Sequence, residues 1–240
     1  DFLSDEFLSN IGSAATRNIT SSSSEFKYAS VFGRLNYNVL SRYIANLSFR
    51  RDGSSRFGPE RRFGNFGSAG GAWIFSEEKF IKDKLSWFSF GKLRGSYGIV
   101  GNDEIGNYQF YDSYATSNYA YNGINGLQPT RLANNEFRWE ETKKLEFGLE
   151  LGFFDDRLSL TAATYRNRTS NQLLNFSVSP QSGFPSYQAN LPALVENSGV
   201  EFSFNSTNIQ QKDFKWTSSF NISKNNNKLA AYPGIERTSY

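Results

Sequence analysis

The sequence predicts an all-β fold: antiparallel strands joined up and down in chain order, arranged as a transmembrane β-barrel wall. Three observations carry this. Apolar residues recur with a period of two in segment after segment, as in "KLEFGLELGFFDDRLSL" (Lys144 to Leu160). There Leu145, Phe147, Leu149 and Leu151 alternate with Lys144, Glu146, Gly148 and Glu150. The connections alternate short and long along the chain, so tight turns gather at one end of the strands and extended loops at the other. Aromatic residues sit near strand ends. Alternation by itself favours a soluble sheet, because an oily core and an oily exterior give the same pattern. The loop asymmetry, the length of several strands and the terminal aromatics turn the reading towards a pore.

Residues 1 to 26 are rich in Ser and Thr and read as a loop-like lead-in. Ala29, Val31, Leu35 and Tyr37 mark a first strand, and a turn near Val39 to Ser41 leads to a second through Tyr43, Ala45, Leu47 and Phe49. The Gly-rich "RDGSSRFGPERRFGNFG" connects to a third strand from about Phe66 to Ile74. "SEEKFIKDKL" links it to a fourth, from about Trp87 to Ile99. A long connection follows, Gly101 to Arg138, dense in Asn, Gly and Tyr. The fifth strand covers about residues 142 to 153 and the sixth about 158 to 170, joined by the Asp155 to Arg157 turn. A second long connection spans Asn171 to Glu196. "VEFSFNST" and "FKWTSSFNIS" supply the last two strands, and the Asn-rich residues 227 to 240 read as loop. The strand-bearing region is 27 to 226.

Composition narrows the function classes. The chain holds 26 basic and 23 acidic residues, scattered rather than clustered, which argues against nucleic acid as a partner. It has no Cys and no His, so a disulfide framework, a thiolate or imidazole metal site and a Ser-His or Cys-His dyad are all excluded. The absence of Met is expected of a section cut from a longer or processed protein.

One loop stands out as a candidate binding surface. Tyr108, Phe110, Tyr111, Tyr114, Tyr119 and Tyr121 share it with Asn118, Asn122 and Asn125. Flat rings and amides suit sugars or peptides; the plainer reading is that they pack the loop or form an aromatic girdle. The candidate ligand-binding residues are Tyr108, Tyr111, Tyr114, Tyr119, Tyr121, Asn122 and Asn125. "RDGSSRFG" lacks the further carboxylates of a calcium loop and the Gly-Lys-Ser/Thr of a phosphate loop, so it reads as a turn. Lys144, Glu146 and Glu150 share a face, with Lys92 and Arg94 as plausible neighbours. A charged face lining a watery lumen accounts for them without catalysis, and the chain is read as no enzyme. No catalytic residue, cofactor or metal is called for.

Several segments, taken in order, resemble the SusC/RagA-type TonB-dependent outer-membrane receptors of the Bacteroidetes. "VFGRLNYNVLSRYIANLSFRRDGSSRFG" (Val31 to Gly58) is similar to that family's strand-turn-strand and arginine-aspartate-glycine-serine loop. "GAWIFSEEKF" resembles its tryptophan and acidic turn, and "KLRGSYGIVGN" its most recognisable barrel motif. "WEETKKLEFGLELGFFDDRLSLTAATYRNRTSNQLL", "ENSGVEFSF" and "FKWTSSFNISKNNNKL" continue the match. "FGSAGGAW" departs from the family's proline-containing form, and "PGIERTSY" is not an aromatic-terminated last strand. The resemblance implies about eight strands of a larger, 22-stranded barrel in the bacterial outer membrane, with the plug domain absent from this section. It further implies active uptake of a large substrate such as a glycan or peptide. The implied partners are outer-membrane lipid, TonB (through a missing N-terminal region) and a SusD-like surface lipoprotein acting as a lid. The rival reading from the residues alone is a soluble extracellular all-β carbohydrate-binding module, with an autotransporter-type barrel as a third.

Overall fold

The computed structural model describes residues 23–184 and 186–235; residues 1–22, most of the predicted lead-in, lie outside them. The chain builds one antiparallel sheet in strict up-and-down order, from β1 (Tyr28–Val39), β2 (Tyr43–Ser54), β3 (Phe63–Ile74) and β4 (Phe88–Asn102). After a separate hairpin of β5 (Ser113–Tyr121) and β6 (Ile124–Arg131), it continues with β7 (Glu140–Phe153), β8 (Leu158–Ser177), β9 (Ser186–Gln210) and β10 (Lys215–Ala231). β1 and β10 are edges: the sheet is open, not a closed ring.

Register explains why this pattern of residues makes this sheet. One row across the strands reads Asn36, Asn46, Gly70, Ser96, Glu146, Tyr165, Gly199 and Asn225. A row of the opposite parity reads Val39, Tyr43, Trp73, Leu93, Leu149, Ala162, Phe202 and Ile222. Because side chains alternate, the first row belongs to a polar face and the second to an apolar face. Among the described residues nothing covers the apolar one. Leu47 is 53% exposed, Phe147 52% and Ile222 58%, and among the described residues no second sheet packs on it. A soluble sandwich would bury this face.

Three tight turns (β1–β2, β7–β8 and β9–β10) and the longer β3–β4 link lie at one end of the sheet. At β1–β2, Leu40 and Ser41 take positive φ, and at β7–β8 Phe154, Asp155 and Asp156 do the same. The β3–β4 link contains a 3-10 turn at Phe75–Glu77 and one helical turn, α1 (Lys79–Lys82), where no helix was expected. Glu78 organises this link. Its carboxylate accepts bonds from Tyr43 Oη (2.6 Å), Trp73 Nε1 (3.1 Å) and Arg42 Nη1 (3.1 Å). These donors, the Tyr43 hydroxyl foremost, hold the carboxyl below its ordinary pKa. Trp73, Phe75, Phe88, Trp87 and Phe153 form a chain of ring contacts at this end, as expected of an interfacial aromatic girdle.

At the opposite end the strands outrun their predicted limits. β8 continues through an irregularity at Asn171 (φ +56°) to Ser177, β9 begins at Ser186 and β10 runs to Ala231, inside the stretch read as loop. The connection predicted from Asn171 to Glu196 is therefore mostly strand. Tyr187, Ala189 and Leu191 do alternate with Ser186, Gln188 and Asn190, but the run Ser179 to Gly183 and Pro192 read as loop, and it is the neighbouring ladder that keeps the backbone extended. Pro192, which cannot donate to a ladder, falls at the register shift opposite Asn171.

The two faces of the sheet make different demands. Leu149→Arg should cost about 2–4 kcal/mol if its side lies against lipid near the midplane, whereas Asn167→Arg, on the polar face of β8, should be nearly neutral. Urea unfolding of the full-length receptor in lipid vesicles measures both; equal losses would reverse or abolish the assigned faces.

Candidate functional site at the mouth and inner face

The polar face is organised around an arginine. Arg94 on β4 stands opposite Gly148 on β7, and its guanidinium lies across that glycine: a Cβ there would come within 2.6 Å of Arg94 Nε. The missing side chain lets Arg94 reach both flanking carboxylates, pairing with Glu146 and, at 3.2 Å, with Glu150. Lys92 adds a second contact to Glu150 at 3.2 Å. Tyr165 lies over Gly199 in the same manner. Around them a hollow of about 570 Å³ is lined by Asn46, Ser68, Ser96, Glu146, Tyr165 and Asn197. Paired charges, amides and hydroxyls give a wettable wall.

The mouth holds the buried apolar cluster described for this chain: Phe57, Phe66, Ile105, Phe110, Phe137 and Trp139. Phe57 and Phe66 each sit 5.2 Å from the Trp139 ring, and Trp139 Nε1 donates to the Arg62 carbonyl at 3.1 Å. "RDGSSRFG" is thus an anchor. Ser54 Oγ donates to Asp103 at 2.6 Å, Arg56 Nη1 to the Asp103 carbonyl at 3.0 Å, and Arg50 pairs with Asp52 at 2.6 Å. The two Asp103 contacts tie the end of β2 and the β2–β3 loop to the Gly101–Arg138 connection.

On that base stands the hairpin β5–β6, within the stretch that the sequence predicts as a long connection. Its turn is Asn122-Gly123, with φ of +53° and +79°, the two positive values a tight hairpin turn needs to match strand twist. That dipeptide between two alternating runs was the signal available in the sequence. Arg131 closes the base, donating to the carbonyls of Tyr108 (2.9 Å) and Tyr111 (3.0 Å) and to Gln109 Oε1 (3.0 Å).

The candidate residues divide accordingly. Tyr108 and Tyr111 are at the base: Tyr108 Oη accepts a bond from the Glu25 amide at 2.7 Å, and the Tyr111 ring lies 4.0 Å from that of Phe110. Phe110 itself is buried in the cluster. Tyr114, Tyr119, Tyr121, Asn122 and Asn125 are on the hairpin. Tyr114 hydrogen-bonds Asp112, which raises its hydroxyl pKa. Tyr119 and Tyr121 are 86% and 88% exposed and share one face with Ile124, the cross-strand partner of Tyr121. Asn125 pairs with Ala120 and so belongs to the other face. Asn122 is a turn-former. Ile124, absent from the expected set, completes an uncovered patch at the tip.

Such a sheet, polar on one face, bare and apolar on the other, with a packed mouth and a projecting hairpin, defines a section of transmembrane β-barrel wall. Comparison with known proteins makes this specific. The profile of the family described as TonB dependent receptor-like, beta-barrel matches residues 1–237, and the chain belongs to that family. It is 39% identical over 225 residues to TonB-dependent receptor P3 of Formosa agariphila, covering 92% of this chain and 22% of that protein. It is 33% identical over 218 residues to TonB-dependent receptor SusC of Bacteroides thetaiotaomicron, covering 88% and 22%. The RagAB peptide importer in its closed-closed state superimposes with a TM-score of 0.81 at 32% identity, over 88% of this chain and 23% of the matched one. The siderophore receptor PirA from Pseudomonas aeruginosa shares the fold alone, at 13% identity and a TM-score of 0.53 over 84% of this chain and 32% of that one. The chain is of the SusC/RagA type predicted from its motifs, and it spans about a fifth of the length of the curated relatives it matches.

Backbone at the Asn122-Gly123 turn is the sensitive point of the hairpin. Gly123→Val should fray β5–β6, raising amide hydrogen exchange across 113–131, while Asn122→Gly should leave it protected. Equal protection in both variants would mean that the turn does not set the hairpin.

Proposed function

We propose that this chain forms part of the wall and the outer loops of an outer-membrane, TonB-dependent importer of a large polar substrate, a peptide or a glycan. The observation that carries this is the bare apolar face running across all eight strands opposite a polar, ion-paired one. In a bilayer the first meets lipid and the second a watery lumen, and the open edges β1 and β10 pair with further strands of a larger ring, since unpaired edges do not persist in hydrocarbon. The likeness to the RagAB peptide importer supports peptide as one substrate class. A SusD-like lipoprotein over the mouth and TonB acting through a region outside this chain complete the proposal. Transport, not catalysis, is the assigned role. The uncovered apolar face speaks against the soluble carbohydrate-binding module.

Orientation follows from the loops. With the tight turns in the periplasm, Asp155→Cys should resist a membrane-impermeant thiol reagent on intact cells, whereas Asn125→Cys and Ser182→Cys should label readily. The chain has no native cysteine to add background. Labelling of the first without the others would invert the barrel.

The exposed tip gives the functional test. Tyr119→Ala with Tyr121→Ala, leaving the Asn122-Gly123 turn intact, should reduce growth on defined peptides or oligosaccharides at unchanged surface abundance. Two contacts of about 1 kcal/mol each would weaken uptake by roughly tenfold or more. Normal uptake at normal abundance would remove the hairpin from the binding surface.

A further inference from the structure

Towards the long-loop end, the apolar face finishes in a cluster of cations. Register places Lys143, Arg168, Glu196 and Lys228 in one row across β7, β8, β9 and β10, on the parity of Phe147 and Leu149. Arg166 stands two residues closer to the apolar band on β8, and Lys224 four residues closer on β10. Buried Glu196 holds Arg168 at 2.7 Å and Lys228 at 3.1 Å. Lys143, Arg166 and Lys224 are exposed and have no carboxylate partner among the described residues.

Their depth is fixed by cost. A cation on the lipid side costs about 2–4 kcal/mol at the midplane and about 0–1 kcal/mol near the interface, so this row lies at headgroup level, with the aliphatic stems reaching along the band. Directly below it the same face has an apolar hollow of about 500 Å³, lined by Leu93, Phe147, Ala162, Val200 and Ile222, with Lys224 at its rim. Hollow and cations together have the form of an amphiphile: hydrocarbon below, anion above. Neither takes part in the polar path on the other face. Four strands at about 4.8 Å spacing put Lys143 and Lys228, the ends of the row, about 14 Å apart across the sheet. One phosphate can therefore meet Lys143 and Arg166 while a second meets Lys224 and Lys228. Arginine's planar fork suits phosphate oxygens.

We infer that this face binds a phosphorylated glycolipid of the outer leaflet, of the lipid A class, with an acyl chain in the hollow and its phosphates on Lys143, Arg166, Lys224 and Lys228. The inference rests on the proposed orientation, in which the long-loop end faces outwards; cysteine labelling at Asp155 and Asn125 tests that orientation separately.

The full-length receptor in detergent is incubated with bisphosphorylated lipid A, with its dephosphorylated form, or with phosphatidylglycerol, and retained lipid is read by native mass spectrometry. The unmodified receptor should retain the bisphosphorylated lipid at least tenfold more than either other lipid. K143Q/R166Q/K224Q should lose that preference and K143R/R166K/K224R should keep it, with heat-modifiable gel mobility reporting an intact barrel. Retention unchanged by the glutamine variant, or equal for phosphorylated and dephosphorylated lipid, overturns the site. Phosphatidylglycerol retained as strongly overturns the glycolipid assignment. Should the glutamine variant fail to fold, the comparison of lipids on the unmodified receptor and on the charge-retaining variant decides. Failure with labelling as expected refutes this inference alone; inverted labelling refutes the orientation beneath it.

Discussion

In hydrocarbon, a backbone N–H or C=O without a partner costs several kcal/mol, and no water is present to relieve it. The rest of this structure depends on that constraint. It explains why the strands of the sheet are laid in sequence, each paired with the next, and why the sheet has no crossover. It also frees the side chains from holding the fold together. With the ladder supplying the scaffold, neither face needs the packed interior of a soluble sheet, and the apolar side can remain as bare as it is.

What packing there is has been moved to the mouth. The Phe57–Trp139 cluster joins the β2–β3 loop to the long β4–β7 connection, at a point where the strands leave the apolar band. Loops in water tend to fray; six apolar side chains, an indole bond to the Arg62 carbonyl and the Ser54–Asp103 bond give this one a rigid base. The hairpin above it can then expose Tyr119, Tyr121 and Ile124 without collapsing onto the wall. Rigid base and exposed tip are the arrangement by which a scaffold positions binding residues.

Charge is distributed by face as well. On the inner side Arg94, Lys92, Glu146 and Glu150 neutralise one another over a glycine that makes room for the guanidinium. On the outer side Glu196 offsets only part of a cationic row. A lumen wall with paired charges repels few solutes, whereas unbalanced cations beside the apolar band call for an anionic neighbour.

Period-two alternation by itself determined the faces and approximate positions of the sheet strands, because a strand half against oil and half against water must alternate. Lys92, Arg94, Glu146 and Glu150 were placed on one face for the same reason, and the ordered motifs identified the family. Tertiary structure alone decided where the strands stop. Ser179 to Gly183 and Pro192 make Asn171 to Glu196 look like loop even though Tyr187, Ala189 and Leu191 alternate there; the neighbouring ladder keeps those residues extended. It also decided that Phe110 and Trp139 are buried while Tyr119 and Tyr121 are not. That depends on Phe57 and Phe66, brought from far along the chain to cover some rings and not others, and no local spacing records such a meeting.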